Sequence, residues 1–118
     1  MRRVVVTGAG IFSPVGNSSS EAFDALLTGQ SGISTVDSWR DILRVHIAGV
    51  VKKFNPEDWI EPRKDTRRMD RFMQLGVAAG VQAWQSAGLA DSLTSPESDR
   101  AGVLVGSGLM GIYSLLET

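Results

Sequence analysis

Apolar and small residues recur at helical spacing from Met69 to Ala87, and this pattern predicts one long helix. At about 100° per residue, its polar side chains cluster within about 160° of the circumference. These polar residues are Asp70, Arg71, Gln74, Gln82, Gln85 and Ser86. A second face carries only small residues, namely Gly76, Ala79, Gly80, Ala83 and Ala87. It indicates either a close approach of another backbone or an ordinary amphipathic helix, and the cost of glycine within a helix favours the close approach. We expect a core helix between layers, ending at Gly88.

Three apolar segments predict the strands of an α/β fold. Arg3–Thr7 and Arg100–Val105 are rich in valine and indicate buried strands. Val45–Val51 has mixed alternation and predicts a strand on which His46 is exposed or hydrogen-bonded rather than catalytic. Glycine-rich turns begin at Gly8 and Gly106, beyond the carboxyl ends of two of these strands, where ligands gather in α/β sheets. Such turns can approach either a ligand or another backbone.

Local signals predict where two further helices begin. Ser18 and Glu21 form a capping box, and Gly29 ends the helix that follows. Asn55 before Pro56 is typical of another helix start. The expected buried side of the first helix comprises Ala22, Phe23, Ala25, Leu26 and Leu27.

Composition limits the class of protein. The chain has 118 residues, 42% of them hydrophobic and 21% charged, with a net charge of -1, as in one soluble globular domain. No segment is apolar enough for a membrane span or resembles a secretory signal, and we expect a cytoplasmic protein without nucleic-acid or membrane partners. Because the chain has no cysteine and one histidine, we expect no disulfide, no cysteine nucleophile, no metal site and no cofactor within it.

Cations cluster before the long helix, at Arg63, Lys64, Arg67, Arg68 and Arg71. On α-helical spacing, Lys64 with Arg68 and Arg67 with Arg71 are like charges one turn apart, which opposes local stability. Cations near a helix amino end oppose it as well. The cluster indicates either a solvated face relieved by nearby aspartates or an electrostatic landing site for an acidic partner.

The run from Thr7 to Gly10 suggests a nucleotide-binding turn, but its spacing does not fit. A Gly-x-Gly-x-x-Gly match from Gly8 needs glycine where Ser13 stands. Pro14 also keeps the chain irregular where a Rossmann helix should begin. We therefore rank a nucleotide-binding reductase last among the candidate functions.

Several short motifs stand in one order along nearly the whole chain. They are residues 2–17, Leu26–Ile33, Ala48–Gly49, Phe54–Asn55, Arg67–Phe72 and Val105–Leu109. In that order they resemble the β-ketoacyl-acyl-carrier-protein synthases, the condensing enzymes of fatty-acid synthesis. The Arg-Met-Asp-x-Phe run from Arg68 to Phe72 favours the synthase II type.

The resemblance implies a thiolase-like α/β fold with αβαβα layers, of which residues 1–118 are the amino-terminal part of the first half. It implies decarboxylative condensation of malonyl-carrier protein with an acyl thioester held on a cysteine, assisted by two histidines. None of these catalytic residues is in the chain, and His46 matches neither histidine. We expect residues 1–118 to be inactive alone.

The resemblance also implies partners and site residues. Lys64, Arg67 and Arg68 match positions where the acidic acyl carrier protein docks, and Leu109 matches the gate of the acyl pocket. Gly106, Ser107 and Gly108 belong to the same pocket loop, and the long helix lies near a homodimer contact. The ranked functions are a condensing synthase, then a non-catalytic partner like a chain-length factor, then the reductase.

Overall fold

The computed structural model describes residues 2–89 and 93–108. Their α-helices are α1 (Ser19–Leu27), α2 (Arg71–Ser86) and α3 (Ser95–Ser98), and their strands are β1 (Ile33–Thr35) and β2 (Ile47–Gly49). Short 3-10 helices cover Asp37–Trp39, Pro56–Asp58 and Arg63–Arg68. The described chain forms two compact units, Ile11–Phe54 and a second that joins the first ten residues to the chain from Asn55 onward.

The capping box of α1 is confirmed. The Ser18 hydroxyl accepts a hydrogen bond of 3.2 Å from the Glu21 backbone N–H. The Glu21 carboxylate in turn accepts one of 2.9 Å from the N–H of Asn17, so the reciprocal arm of the box extends one residue beyond Ser18. Gly29, with φ of +68°, follows the helix end as predicted. The buried side is narrower than expected, because only Ala22 and Ala25 are buried while Phe23, Leu26 and Leu27 are exposed.

An antiparallel hairpin of β1 and β2 completes the first unit. Thr35 pairs with Ile47 and Ile33 with Gly49. The predicted strand over residues 45–51 is therefore shortened to three residues, and β1 occupies a segment for which no strand was predicted. Pro14 packs against this hairpin, since a Cβ added at Gly49 would lie 2.9 Å from the Pro14 Cγ.

Close packing in the second unit joins the amino-terminal segment to α2. A Cβ added at Gly8 would collide with the Ala83 carbonyl oxygen and lie 2.5 Å from the Ala87 nitrogen. One added at Gly10 would collide with the Ala79 carbonyl oxygen. The predicted close backbone approach on the small face of the helix is therefore present. It depends on glycines in the approaching segment, since Gly76 and Gly80 would meet nothing within 4 Å.

The two valine-rich segments are not strands in the described chain. Residues 3–7 and 101–105 are irregular, and Val4 and Val103 are 95% and 93% exposed. An extended segment becomes a strand only when a neighbour completes its hydrogen-bond ladder, and no described residue does so for these two. The apolar, β-branched sequence was identified correctly. The strands predicted from it need a pairing strand, and none is found among the described residues.

The long helix α2 begins two residues later than predicted, because Met69 and Asp70 are still extended, and it leads through Ala87 to Gly88 with φ of +67°. Only Ala78 is fully buried on it. Met73, Val77 and Trp84 are substantially exposed. Among the described residues the amino-terminal segment covers one face of α2, and the other layers expected around this helix are not found there.

Candidate functional site

The predicted docking cations lie on the 3-10 helix Arg63–Arg68, called here the basic helix. It begins after the extended residue Pro62 and ends at Met69. In a 3-10 helix, residues three apart share a face, so Lys64 lies above Arg67. The α-helical spacing predicted from the sequence pairs Lys64 with Arg68 and Arg67 with Arg71 instead. That prediction is wrong because the segment is a 3-10 helix, and because extended backbone at Met69 separates it from α2.

Thr66 anchors the inner side of the basic helix. It is 5% exposed, and its hydroxyl donates a hydrogen bond of 2.6 Å to the Arg63 carbonyl oxygen. Lys64, Arg67 and Arg68 are all exposed. One buried threonine thus fixes which side of the short helix faces the protein.

Ion pairing differs along the basic helix. The Arg63 guanidinium lies 3.6 Å from the Glu57 carboxylate, a solvent-exposed pair of small energetic value. Within residues 2–89 and 93–108, no acidic side chain forms an ion pair with Lys64, Arg67 or Arg68. Three exposed positive charges therefore lie on one short helix, an arrangement suited to an acidic partner.

The Gln74 side chain connects the basic helix to α2. Its amide Nε2 donates to the Thr66 carbonyl oxygen at 2.9 Å and to the Met69 carbonyl oxygen at 3.1 Å. The Thr66 oxygen lies in the last turn of the basic helix, and the Met69 oxygen lies just beyond its carboxyl end. In the sequence, Gln74 is recognisable only as one of the polar residues of α2. Nothing in its spacing distinguishes it from the other polar residues of that face.

The glycine turn at Gly8 is occupied by packing. Gly8 and Gly10 lie against backbone atoms of α2, and the Ala9 N–H donates to the Ser86 hydroxyl at 3.5 Å. A pyrophosphate site needs glycines that leave room for a phosphate at a helix amino end. These glycines instead bring one protein backbone against another, and this geometry disfavours the reductase.

The pocket loop is exposed where it is described. Gly106, Ser107 and Gly108 follow the irregular segment 101–105, and a Cβ at either glycine would meet nothing within 4 Å. The proposed gate, Leu109, lies outside the described residues.

Other site types are not seen in the described part of the chain. His46 precedes β2, and its backbone carbonyl accepts a hydrogen bond of 2.7 Å from the Val36 N–H. No group of three metal-binding side chains occurs among residues 2–89 and 93–108. Of the helices described, none has the length and apolarity to cross a membrane.

Comparison with known proteins gives the family. Residues 1–117 match the family described as "Beta-ketoacyl synthase, N-terminal domain". The chain belongs to this family. The resemblance found in the sequence motifs is thereby confirmed, together with the thiolase-like fold class. Membership accounts for the order of the motifs along nearly the whole chain.

Individual members of the family are similar to the chain over almost its full length. A 3-oxoacyl-[acyl-carrier-protein] synthase 2 of Vibrio cholerae is 44% identical over 118 residues, covering 99% of this chain and 28% of that protein. The enzyme of the same name from Staphylococcus aureus strain COL is 39% identical over 112 residues, or 94% of this chain and 26% of that protein. The chain thus spans little more than a quarter of these relatives.

A solved structure is also similar. It is described as "The ishigamide ketosynthase/chain length factor", with 34% sequence identity and a TM-score of 0.66. The match covers 76% of this chain and 22% of the other. The fold similarity therefore extends over most of the chain, in agreement with the family assignment.

Proposed function

We propose that this chain is the amino-terminal part of a 3-oxoacyl-[acyl-carrier-protein] synthase of fatty-acid elongation. The complete enzyme would hold an acyl group as a thioester on a cysteine and condense it with malonyl-carrier protein. The bond between the malonyl C2 and its carboxylate breaks to release carbon dioxide, and C2 forms a bond to the acyl carbonyl carbon. The bond from that carbon to sulfur then breaks, and the cysteine leaves as a thiolate. The identity to synthases of that name over 99% and 94% of the chain supports this assignment. The cysteine and the histidines that assist it would come from outside these residues.

Within this chain, the basic helix is the part that binds the carrier protein. Lys64, Arg67 and Arg68 form the docking surface, and the observation that carries this proposal is their exposure without an ion-pair partner in the described chain. An acidic carrier would add the missing counter-charges. Because the charges are exposed, they would act mainly on the rate of encounter and on salt dependence.

Charge reversal in the complete synthase tests this surface. Arg67→Glu and Arg68→Glu, singly and together, should weaken binding of the carrier protein, by roughly tenfold or more for the pair at low salt. The loss should shrink as salt is raised, because the Debye length falls to about 8 Å at 0.15 M. Fluorescence anisotropy of labelled acyl carrier protein, measured from low to high salt, gives both quantities.

The matched control reverses two exposed arginines outside the basic helix. Arg3→Glu with Arg44→Glu changes the net charge by the same amount, and both side chains are exposed. This variant should bind the carrier much more tightly than the Arg67/Arg68 pair. Equal affinity of the Arg67/Arg68 variant and the unaltered enzyme, or equal losses for both double variants, would remove the docking proposal.

Further parts of the proposal come with the family. Gly106, Ser107 and Gly108 line the acyl pocket, with Leu109 as its gate, and the complete enzyme is a cytoplasmic homodimer. The alternative is a non-catalytic partner subunit. The similarity to the ketosynthase/chain length factor structure supports this alternative. The residue at the nucleophile position separates the two, since cysteine there supports the synthase and any replacement supports the partner subunit.

A further inference from the structure

We propose that Gln74 is a positioning residue for carrier docking, acting through the basic helix and not through contact with the carrier. This inference rests on the proposed docking of the carrier at Lys64, Arg67 and Arg68. Gln74 has no charge and is half-buried, so it adds little to the attraction itself. Its side chain instead determines where the cations are held relative to α2.

The basic helix needs such support because its own sequence opposes it. Its six residues exceed the usual length of a 3-10 helix, whose hydrogen-bond geometry is poor. Lys64 and Arg67 are like charges one turn apart, and no counter-charge from the described chain pairs with them. Repulsion between them favours unwinding. Outside contacts must therefore hold the segment in one conformation before the carrier arrives.

Gln74 supplies two of these contacts with one group. The two hydrogens of its amide nitrogen satisfy the carbonyl oxygens of Thr66 and Met69, one at the last turn of the basic helix and one just beyond it. The base of the glutamine is itself fixed, because its backbone N–H donates to the Asp70 carbonyl at 3.1 Å in the first turn of α2. The Thr66 carbonyl also accepts the Met69 N–H at 3.3 Å, so the same oxygen closes the turn and joins the two helices.

The arrangement lowers the conformational freedom that the free protein must lose on binding. A pre-organised surface binds more tightly than the same charges on a frayed segment, because less ordering entropy is lost in the complex. Removing the Gln74 amide should therefore weaken docking while the chemistry on small substrates is unchanged.

The test replaces Gln74 by methionine, which keeps the length and removes the hydrogen bonds without adding charge. In the complete synthase, Gln74→Met should raise the KM for acyl-carrier substrate roughly three- to tenfold with little change in kcat. Turnover of a carrier-free acyl thioester should stay unchanged. Gln85→Met is the control on the same helix, because no hydrogen bond or ion pair to that side chain is described, and it should leave both assays as they are. Gln74→Asn, whose amide is one methylene shorter, serves as a milder variant if the methionine variant does not fold.

A double-mutant cycle separates positioning from general loss of structure. In the Arg67→Glu/Arg68→Glu background, removing the Gln74 amide should have a much smaller further effect on carrier affinity, since Lys64 is then the one docking charge left to be positioned. An unchanged KM for acyl-carrier substrate, an equal loss in both backgrounds, or a parallel fall in carrier-free turnover would overturn the inference. Failure of the docking proposal is a different outcome, in which the arginine reversals themselves leave affinity unaltered.

Discussion

Two kinds of glycine occur in the unit that contains α2, and they should respond differently to the same substitution. Gly10 lies against the α2 backbone, where a Cβ would collide with the Ala79 carbonyl oxygen and approach the Ala83 nitrogen to 2.7 Å. Backbone atoms cannot swing aside as a side-chain end can. Gly80 lies within α2 and has nothing within 4 Å of its Cβ position. The first glycine is needed for packing and the second is only a weak helix former.

We therefore predict that Gly10→Ala destabilises the protein by about 1–3 kcal/mol, as expected for overpacking. Gly80→Ala should be neutral or stabilising by up to about 1 kcal/mol, because alanine is the better helix former. Thermal unfolding of the two variants of the complete synthase measures the difference. A Gly10→Ala variant as stable as the unaltered protein would show that the amino-terminal segment does not pack on α2 as described.

Two residues of the site, Thr66 and Gln74, could not be recognised from the sequence. Thr66 and Gln74 have polar side chains of ordinary type, and nothing in their spacing distinguishes a buried anchor from an exposed residue. Their roles follow from tertiary contacts, namely the burial of Thr66 and the two carbonyl oxygens in reach of the Gln74 amide. The cations could be recognised from their residue types alone. The residues that hold them in place could not, because their roles depend on tertiary contacts.

Helix ends were predicted well because their signals are local. Ser18, Gly29 and Asn55 act through hydrogen bonds or dihedral angles within a few residues, and all three behave as the sequence indicates. Strands were predicted poorly, since β pairing depends on a partner distant in sequence. The β1–β2 hairpin was missed as a pair, because a three-residue strand such as Ile33–Thr35 carries little pattern.

The short helix α3 provides an electrostatic prediction. Its preceding residue Thr94 donates two hydrogen bonds to the Glu97 carboxylate, from the hydroxyl at 2.7 Å and from the backbone N–H at 2.9 Å. The hydroxyl and then the backbone bond lower the pKa of Glu97, because both favour the charged form. Since the pKa is lowered on folding, the stabilisation is present above the unfolded pKa, about 4.3. It is lost as the pH falls through the folded value.

Removal of the hydroxyl should reverse most of this effect. We predict that Thr94→Val raises the pKa of Glu97 toward its ordinary value, and that the cap of α3 is then lost at a higher pH. The backbone donor remains, so the pKa should stay somewhat low. An NMR titration of the Glu97 carboxyl carbon measures it, with Thr35→Val in the other unit as a control that should leave it unchanged. An identical midpoint in Thr94→Val would show that the hydroxyl does not bond the carboxylate in solution.

For the molecule as a whole, the family match extends over nearly the entire chain, whereas the strands expected of its fold are only partly formed among the described residues. The motifs extend over nearly all of the chain, and the family match covers residues 1–117. A thiolase-like fold places strands in layers, yet residues 3–7 and 101–105 have no described ladder. The sequence motifs are shared within the family. A strand, in contrast, forms only when the segment that pairs with it is also present.

Residues 1–118 bury few apolar side chains among the described residues, and this bears on how they behave when expressed alone. Within each unit few apolar side chains are buried, namely Ala22 and Ala25 in one and Ile60 and Ala78 in the other. Three of these four are alanines, which contribute far less than the 1.5–3 kcal/mol or so of a large apolar side chain. Val4, Val6, Leu104 and Val105 remain exposed, in two apolar segments. Such segments are templates for pairing with other chains.

We predict that isolated residues 1–118 associate or remain partly folded. Light scattering should show particles larger than a monomer, or else calorimetry should show no sharp melting transition, with 8-anilinonaphthalene-1-sulfonate fluorescence rising on contact with exposed apolar surface. The complete synthase, measured in the same buffer, should melt cooperatively and bind little dye. A monomeric fragment with one cooperative transition would contradict the prediction. It would mean that the valine-rich segments find pairing partners within these 118 residues.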